Sequence, residues 1–219
     1  KYEIPFLEYP GLPVGPRDTS EFLRQLGEKL SIQKKVEEVI KNEEKEAYRS
    51  LDYAGDILLF QWPTVPTAIV ADSTIATGVV RFITNEANFI PTLVIITENP
   101  PEEYREIIEK RLTDTESIIK PKIIFEVDSG KIRDILREHN FMLLLASSQE
   151  KYFAEDQNID YVQHGIDKYL GADVKTSPIV HVTIAFPAFN RLILDRSYVG
   201  YRGGSALIED IGATLAAPF

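Results

Sequence analysis

The sequence predicts an α/β protein, a Rossmann-like open parallel sheet flanked by helices and preceded by a helical arm. Short apolar runs without polar alternation recur from residue 67 onward, and a stretch with helical spacing of apolar residues follows each run. Parallel strands that are covered on both faces have this non-alternating character. Strand and helix alternate at intervals of roughly 25 residues, which is the pattern of a doubly wound sheet.

The start of the chain has a different character, so we divide the chain into two regions. Residues 1–63 are predicted to form an extended proline-rich segment and a helical arm. Residues 64–219 are predicted to form the Rossmann-like domain with a C-terminal helix. Four prolines fall within residues 1–16, and because proline disfavours helix interiors this spacing predicts an extended path.

Two helices are predicted in the arm. Asp18, Thr19 or Ser20 can cap a helix that starts near Glu21, because their side-chain oxygens accept hydrogen bonds from free backbone N–H groups. A second helix is expected over residues 33–58, where apolar residues recur at helical spacing. The middle of this second helix is strongly charged, which indicates a solvated face.

Five apolar runs in the second region are predicted to be strands, and helical patterns separate them. The strands are expected at residues 67–71, 92–97, 122–127, 141–146 and 180–185. Helices are expected at residues 72–87, 100–112, 129–139 and 147–156, with a last helix from about Ser205. Open α/β sheets bind ligands outside the carboxyl ends of their strands, so the loops after the strands are the first places to look for chemistry.

These loops carry no phosphate-binding motif. Neither G-x-G-x-x-G nor G-x-x-x-x-G-K-[ST] occurs in the chain. Asp72-Ser73-Thr74 and Ser147-Ser148 follow two of the predicted strands, and we interpret both as caps of the helices that come next. The sequence therefore gives no direct support for a dinucleotide or nucleoside triphosphate site.

Composition excludes several further classes of function. The formal net charge is −10, which disfavours nucleic acid and anionic membranes as partners. The chain has no cysteine, so it contains no disulfide, thiolate zinc site or cysteine-ligated iron–sulfur cluster. His139, His164 and His181 are far apart and have no metal-ligand spacing. We predict no catalytic, cofactor-binding or metal-binding residue in this chain.

Four stretches share a pattern with one known family. In AFPAFNR and VGYRGG, both within residues 181–211, a strand ends in a loop of the G/A-F-P-x-F-D-R kind and a G-Y-x-G-G/A turn opens the last helix. Residues 4–23 match I-P-F/Y-x-E-x-P-x-L-P-I/V-G, residues 70–97 are similar to the family's second Rossmann-like domain, and residues 141–155 resemble its strand-loop-helix segment D-F-M-I-G-N-S-x-x-K. In these stretches the chain resembles nitrogenase component 1, the molybdenum–iron protein family.

Within that family the chain is most similar to the β-type subunit. The α-type subunit carries a histidine ligand of the metal cofactor in the late region where this chain reads Phe186-Pro187-Ala188-Phe189. Asn190 replaces the aspartate that is usual in the family. The family's cluster-binding cysteines lie upstream, in a first domain, and the chain begins abruptly without an initiator methionine. We therefore expect a C-terminal fragment that is inactive alone.

The resemblance implies a cytoplasmic, ATP-dependent electron-transfer complex that reduces dinitrogen. The implied partners are an α-type component 1 subunit, a second β-type subunit and an iron protein that donates electrons. Iron–sulfur clusters and a metal cofactor are implied for the parent complex, with no cofactor on this fragment. Related alternatives are a scaffold on which the cofactor is assembled and a light-independent tetrapyrrole reductase subunit. A solitary α/β binding module is the remaining alternative.

The resemblance also suggests a role for the polar stretch before the last helix. Arg196, Tyr198, Tyr201 and Arg202 belong to the residue types that are enriched in interface hot spots. In the family this region lies near the contact between β-type subunits. We expect these four residues to form a subunit interface; the alternative is that they pack and cap within their own chain.

Overall fold

The computed structural model describes residues 6–61, 65–156, 179–185 and 197–215, which form helices around one parallel sheet. The strands are β1 (Pro66–Ala71), β2 (Ile90–Ile96), β3 (Lys122–Phe125), β4 (Leu143–Ala146) and β5 (Val180–Thr183). The helices are α1 (Gly15–Leu30), α2 (Gln33–Gln61), α3 (Ser73–Asn85), α4 (Glu102–Thr113), α5 (Ser129–Glu138), α6 (residues 148–156) and α7 (Tyr201–Leu215). None of the helices in these described ranges is long and apolar enough to span a membrane.

The five strands are parallel and lie in the order β3-β2-β1-β4-β5. The chain starts in the middle with β1, builds outward to β3, and returns to place β4 on the other side of β1. The direction of winding therefore reverses between β1 and β4. In open α/β sheets, ligands bind at such a reversal, outside the carboxyl ends of the two strands.

Helices cover both faces of the sheet, which explains why the strands are apolar without alternation. Ile69 and Val94 face one core, which α3, α4 and α7 complete. Ala68 and Leu93, each one residue earlier, face a second core that α5 and α6 complete. Because successive strand residues point to opposite faces, each strand needs apolar residues at every position. The predicted fold class is confirmed.

The arm packs as two helices against the end of the chain. Val36, Ile40, Ala47 and Leu51 are the buried stripe of α2, at the spacing of one helix face. Val39, another apolar residue of this helix, is half exposed. Both α1 and α2 contact α7. The division of the chain at residue 64 stays a prediction.

Two helices begin earlier than predicted. Helix α1 starts at Gly15 instead of Glu21, and Pro16 stands in its first turn. Proline is tolerated there because the backbone N–H that it lacks would have no helical partner anyway. Helix α7 starts at Tyr201 instead of Ser205, so Gly203 is inside the helix and not in a turn before it.

Glycines in these helices allow three segments to approach closely. A Cβ atom on Gly78 of α3 would lie 2.3 Å from the carbonyl oxygen of Leu12. A Cβ atom on Gly204 of α7 would lie 2.8 Å from the Cα atom of Gly15 and 2.7 Å from the Phe82 ring. These distances are shorter than van der Waals contact. The N-terminal segment, α3 and α7 can therefore meet only because these positions have no side chain.

Substitution of Gly78 by alanine should destabilise the protein by about 1–3 kcal/mol, because the new methyl group overlaps a backbone oxygen that cannot rotate away. Gly55→Ala in α2 is the matched control, since nothing lies within 4 Å of a Cβ atom there. That control should be neutral or stabilising by up to about 1 kcal/mol, through helix propensity. Urea unfolding of both variants measures the difference, and equal stabilities would contradict the close approach.

Candidate functional site

At the carboxyl end of β1, the protein's own carboxylates occupy the start of α3. Asp72 Oδ1 accepts hydrogen bonds from the backbone N–H groups of Thr74 (3.0 Å) and Ile75 (3.1 Å). Ser73 donates its backbone N–H (3.3 Å) and its hydroxyl (3.0 Å) to the carboxylate of Glu98, which follows β2. A helix N-terminus attracts anions, and here two carboxylates of the chain take that place.

The carboxyl end of β4 is closed in a similar way. Ser147 donates its N–H (3.1 Å) and its hydroxyl (2.5 Å) to Glu150 Oε2, and Gln149 N–H donates to Ser147 Oγ (3.1 Å). This reciprocal pair is a capping box for α6. His181 of β5 holds the loop from the other side, with Nε2 2.8 Å from the carbonyl oxygen of Ser147. Burial lowers the pKa of His181 and favours the neutral ring.

At the carboxyl end of β3, a carboxylate of the chain again caps the helix that follows. Asp128 Oδ1 accepts from the N–H groups of Gly130 (2.8 Å) and Lys131 (3.0 Å), and these bonds lower the pKa of Asp128.

His139 ends α5 with Nδ1 2.7 Å from the carbonyl oxygen of Ile135. In the described ranges no group of three or more His, Cys, Asp or Glu side chains is placed to hold a metal ion. His164 lies outside these ranges.

Away from the carboxyl ends of the strands, residues 9–20 contact residues 197–204. We call this contact between the two ends of the chain the chain-end junction. Gly200 donates its N–H to the carbonyl oxygen of Pro13 (2.8 Å), and Gly15 donates its N–H to the carbonyl oxygen of Gly200 (3.3 Å). Gly200 has a φ of +83° and Gly15 a φ of +78°, a region that favours glycine. The YPGLPVG and VGYRGG stretches are therefore direct neighbours.

A buried ion pair ties this junction to the sheet through α3. Arg81 donates from Nε to Asp18 Oδ2 and from Nη2 to Asp18 Oδ1, both at 2.8 Å. The Asp18 side chain is only 3% exposed, and the hydrogen bonds to it raise the pKa of Arg81. Tyr9 donates its hydroxyl to the backbone oxygen of Asp18 (2.9 Å). Asp18 is thus inside α1 and paired across the fold, and our assignment of it as an N-cap was wrong.

The four residues predicted to form a subunit interface differ in burial and in hydrogen bonding. Tyr201 is buried, and its hydroxyl shares a 2.7 Å hydrogen bond with the buried Ser20 hydroxyl. Tyr198 donates to Asp210 Oδ2 (2.6 Å). Arg202 is exposed at the start of α7. Arg196 lies outside the described residues, and the interface role of all four stays a prediction.

Comparisons with known proteins point to one family. A family model described as "Nitrogenase component 1 type Oxidoreductase" matches residues 1–172. A solved structure described as "Nitrogenase Cp1 at pH 6.5" matches with a TM-score of 0.67 and 21% sequence identity, over 93% of this chain and 38% of that chain. The chain thus spans less than half of that relative, and at this identity the match shows the fold alone. No curated protein sequence matches.

Asp18→Asn should lower the free energy of unfolding by about 3 kcal/mol, because it removes the buried counter-charge of Arg81 and leaves only the half-exposed Glu21, 3.3 Å from Nη2, to pair with the guanidinium. The matched control is Glu37→Gln, which removes the negative charge that pairs with Arg24 in a bidentate contact whose two side chains are about half exposed. That loss should be at most about 1 kcal/mol. Urea unfolding at one pH measures both, and an equal effect of the two changes would contradict the structural importance of Asp18.

Proposed function

The chain belongs to the family of nitrogenase component 1 type oxidoreductases, and from this premise we propose that it is part of a β-type subunit of a dinitrogen-reducing complex. The observation that supports this proposal most directly is the chain-end junction. Two of the stretches that carry the family resemblance, near opposite ends of the sequence, are hydrogen-bonded to each other. Long-range pairing of this kind supports the interpretation of both stretches as parts of one functional region.

The residues of this chain that the structure describes do not supply the ligands that the family's clusters and cofactor require. Such groups are held by thiolates or histidines, and the chain has no cysteine. His139 and His181 each hydrogen-bond a backbone carbonyl through one ring nitrogen. We therefore derive no electron-transfer step through this chain. In the proposal, other parts of the complex hold the clusters, and an iron protein delivers electrons at the expense of ATP.

The role that we assign to this chain is to present a contact surface to another subunit. Arg202 and the half-exposed Val199 lie on either side of the tyrosine that anchors their turn. The turn is held rigidly, because Tyr201 is bonded to Ser20 and a Cβ atom on Gly203 would lie 2.2 Å from the backbone of Tyr198. Because the backbone is held in this way, Arg202 can dock without a backbone rearrangement, and arginine is enriched in interface hot spots.

Arg202→Ala should weaken subunit association roughly tenfold in Kd, or about 1.4 kcal/mol, with an unchanged melting temperature. Tyr201→Phe is the contrasting variant. It removes only the hydroxyl that pairs with Ser20, so it should cost about 1–3 kcal/mol of folding stability and leave association intact. Analytical ultracentrifugation and thermal melts of the full-length protein measure both. A lowered melting temperature with normal association for Arg202→Ala would contradict the contact.

The proposed activity is tested on the complex as cells make it. Tagged full-length protein is isolated without oxygen, its partners are identified by mass spectrometry, and ammonia formation is measured with the iron protein. We expect an α-type partner, bound iron and sulfide, and ammonia only when ATP is present. Cofactor binding without turnover would replace the proposal with an assembly scaffold. Reduction of a tetrapyrrole in place of dinitrogen would replace it with a tetrapyrrole reductase.

A further inference from the structure

The amino-terminal edge of the sheet brings a lysine and a histidine together. Lys122 is the first residue of β3 and pairs with Leu93 of β2. Helix α5 follows β3 and runs back along the sheet, so that His139, at its C-terminal end, lies beside the start of β3. Lys122 Nζ is 3.3 Å from His139 Nε2. A strand start and a helix end thus position both side chains, at the edge of the sheet opposite the helix caps described above.

Helix α5 determines which nitrogen of the His139 ring carries the proton. Nδ1 lies 2.7 Å from the carbonyl oxygen of Ile135, and because a carbonyl oxygen can only accept, Nδ1 is the donor. In the neutral ring, Nε2 therefore carries the lone pair, and this lone pair faces Lys122. The backbone N–H of His139 also donates to the carbonyl oxygen of Leu136 (3.3 Å). An imidazole that is oriented in this way can act as a general base.

Lys122 differs from a neighbouring lysine in the group that it contacts. Lys131 of α5 forms an ion pair with Glu126 (3.6 Å). Within the ranges that the structure describes, no carboxylate forms an ion pair with Lys122, which is exposed to solvent. A reagent can therefore reach Nζ of Lys122 from solvent while His139 accepts a proton from the same atom.

We propose that Lys122 is a site of acylation by acyl phosphates, with His139 as the general base. The ammonium gives one proton to His139 Nε2, which releases it to solvent. The neutral amine then attacks the carbonyl carbon of the donor, and a C–N bond forms. The bond between this carbon and the phosphate oxygen breaks, and the leaving phosphate takes up the second proton that the nitrogen loses. The product is an uncharged amide, and no oxidant or reductant takes part.

The contact with His139 has two opposite effects on the reactivity of Lys122. A hydrogen bond to the ring nitrogen stabilises the ammonium and by itself slows acylation, because only the uncharged amine is a nucleophile. A positioned base removes the proton and accelerates acylation. Loss of the imidazole therefore lowers the rate only if proton transfer to His139 is part of the reaction. This inference is independent of the proposed function.

Acetylation of the full-length protein by acetyl phosphate at one pH tests the site. Initial rates at single lysines are measured by mass spectrometry of peptides from a protease that does not cleave at lysine. Lys110, an exposed lysine in the last turn of α4, is the internal reference. Lys122 should react roughly tenfold faster than Lys110, because only Lys122 has a base in contact. A rate at Lys122 equal to or below that of Lys110 would overturn the proposal.

Two variants test the role of His139. His139→Gln keeps a hydrogen-bond acceptor but cannot take up the proton, so it should slow acetylation of Lys122 roughly tenfold and leave Lys110 unchanged. Arg137→Gln is the matched control, since it alters a charge in the last turn of α5 whose partner is Asp134 (3.0 Å). That control should keep the wild-type rate at Lys122. An unchanged or higher rate in His139→Gln would show that the ring only stabilises the ammonium, and would overturn the proposal.

Discussion

The ion pair between Asp18 and Arg81 is the interaction on which the rest of this structure depends. It joins α1 to α3, the helix that follows the central strand β1, with two hydrogen bonds of 2.8 Å. Burial of two charges is favourable only when geometry and partners are good, and here both carboxylate oxygens are engaged. Once α1 is fixed in this way, Ser20 reaches Tyr201 and Gly15 reaches Gly200.

In the described part of the chain, the protein's own side chains occupy the edge of the sheet at which Rossmann-like domains bind small ligands. At the switch point of the sheet, where Rossmann-like domains hold their cofactors, the starts of α3 and α6 are capped by Asp72, Glu98 and Glu150. The chain-end junction, in contrast, presents an exposed arginine, Arg202, in the first turn of α7. This arrangement fits the role that we propose for the chain, a contact with another subunit.

The sheet could be predicted from the sequence because burial of both strand faces produces short apolar runs, and the helical patterns between these runs mark them as strands. The starts of α1 and α7 could not, because Pro16 and Gly203 usually end helices, and only the first-turn position and a close backbone approach make them helical here. Asp18 looked like an N-cap because local sequence contains no information on Arg81, which is distant in the chain. The same limit applied to Tyr201, whose partner Ser20 lies near the other end of the sequence.

A double-mutant cycle between Asp18→Asn and Tyr201→Phe tests the central claim most directly. The two side chains belong to separate hydrogen bonds, but both bonds need α1 in one position. If the Asp18–Arg81 pair sets that position, the Tyr201 hydroxyl should contribute less once Asp18 is changed, with a coupling energy of about 0.5–1 kcal/mol or more. Strictly additive losses in urea unfolding would contradict the claim, because the chain-end junction would then form without the ion pair.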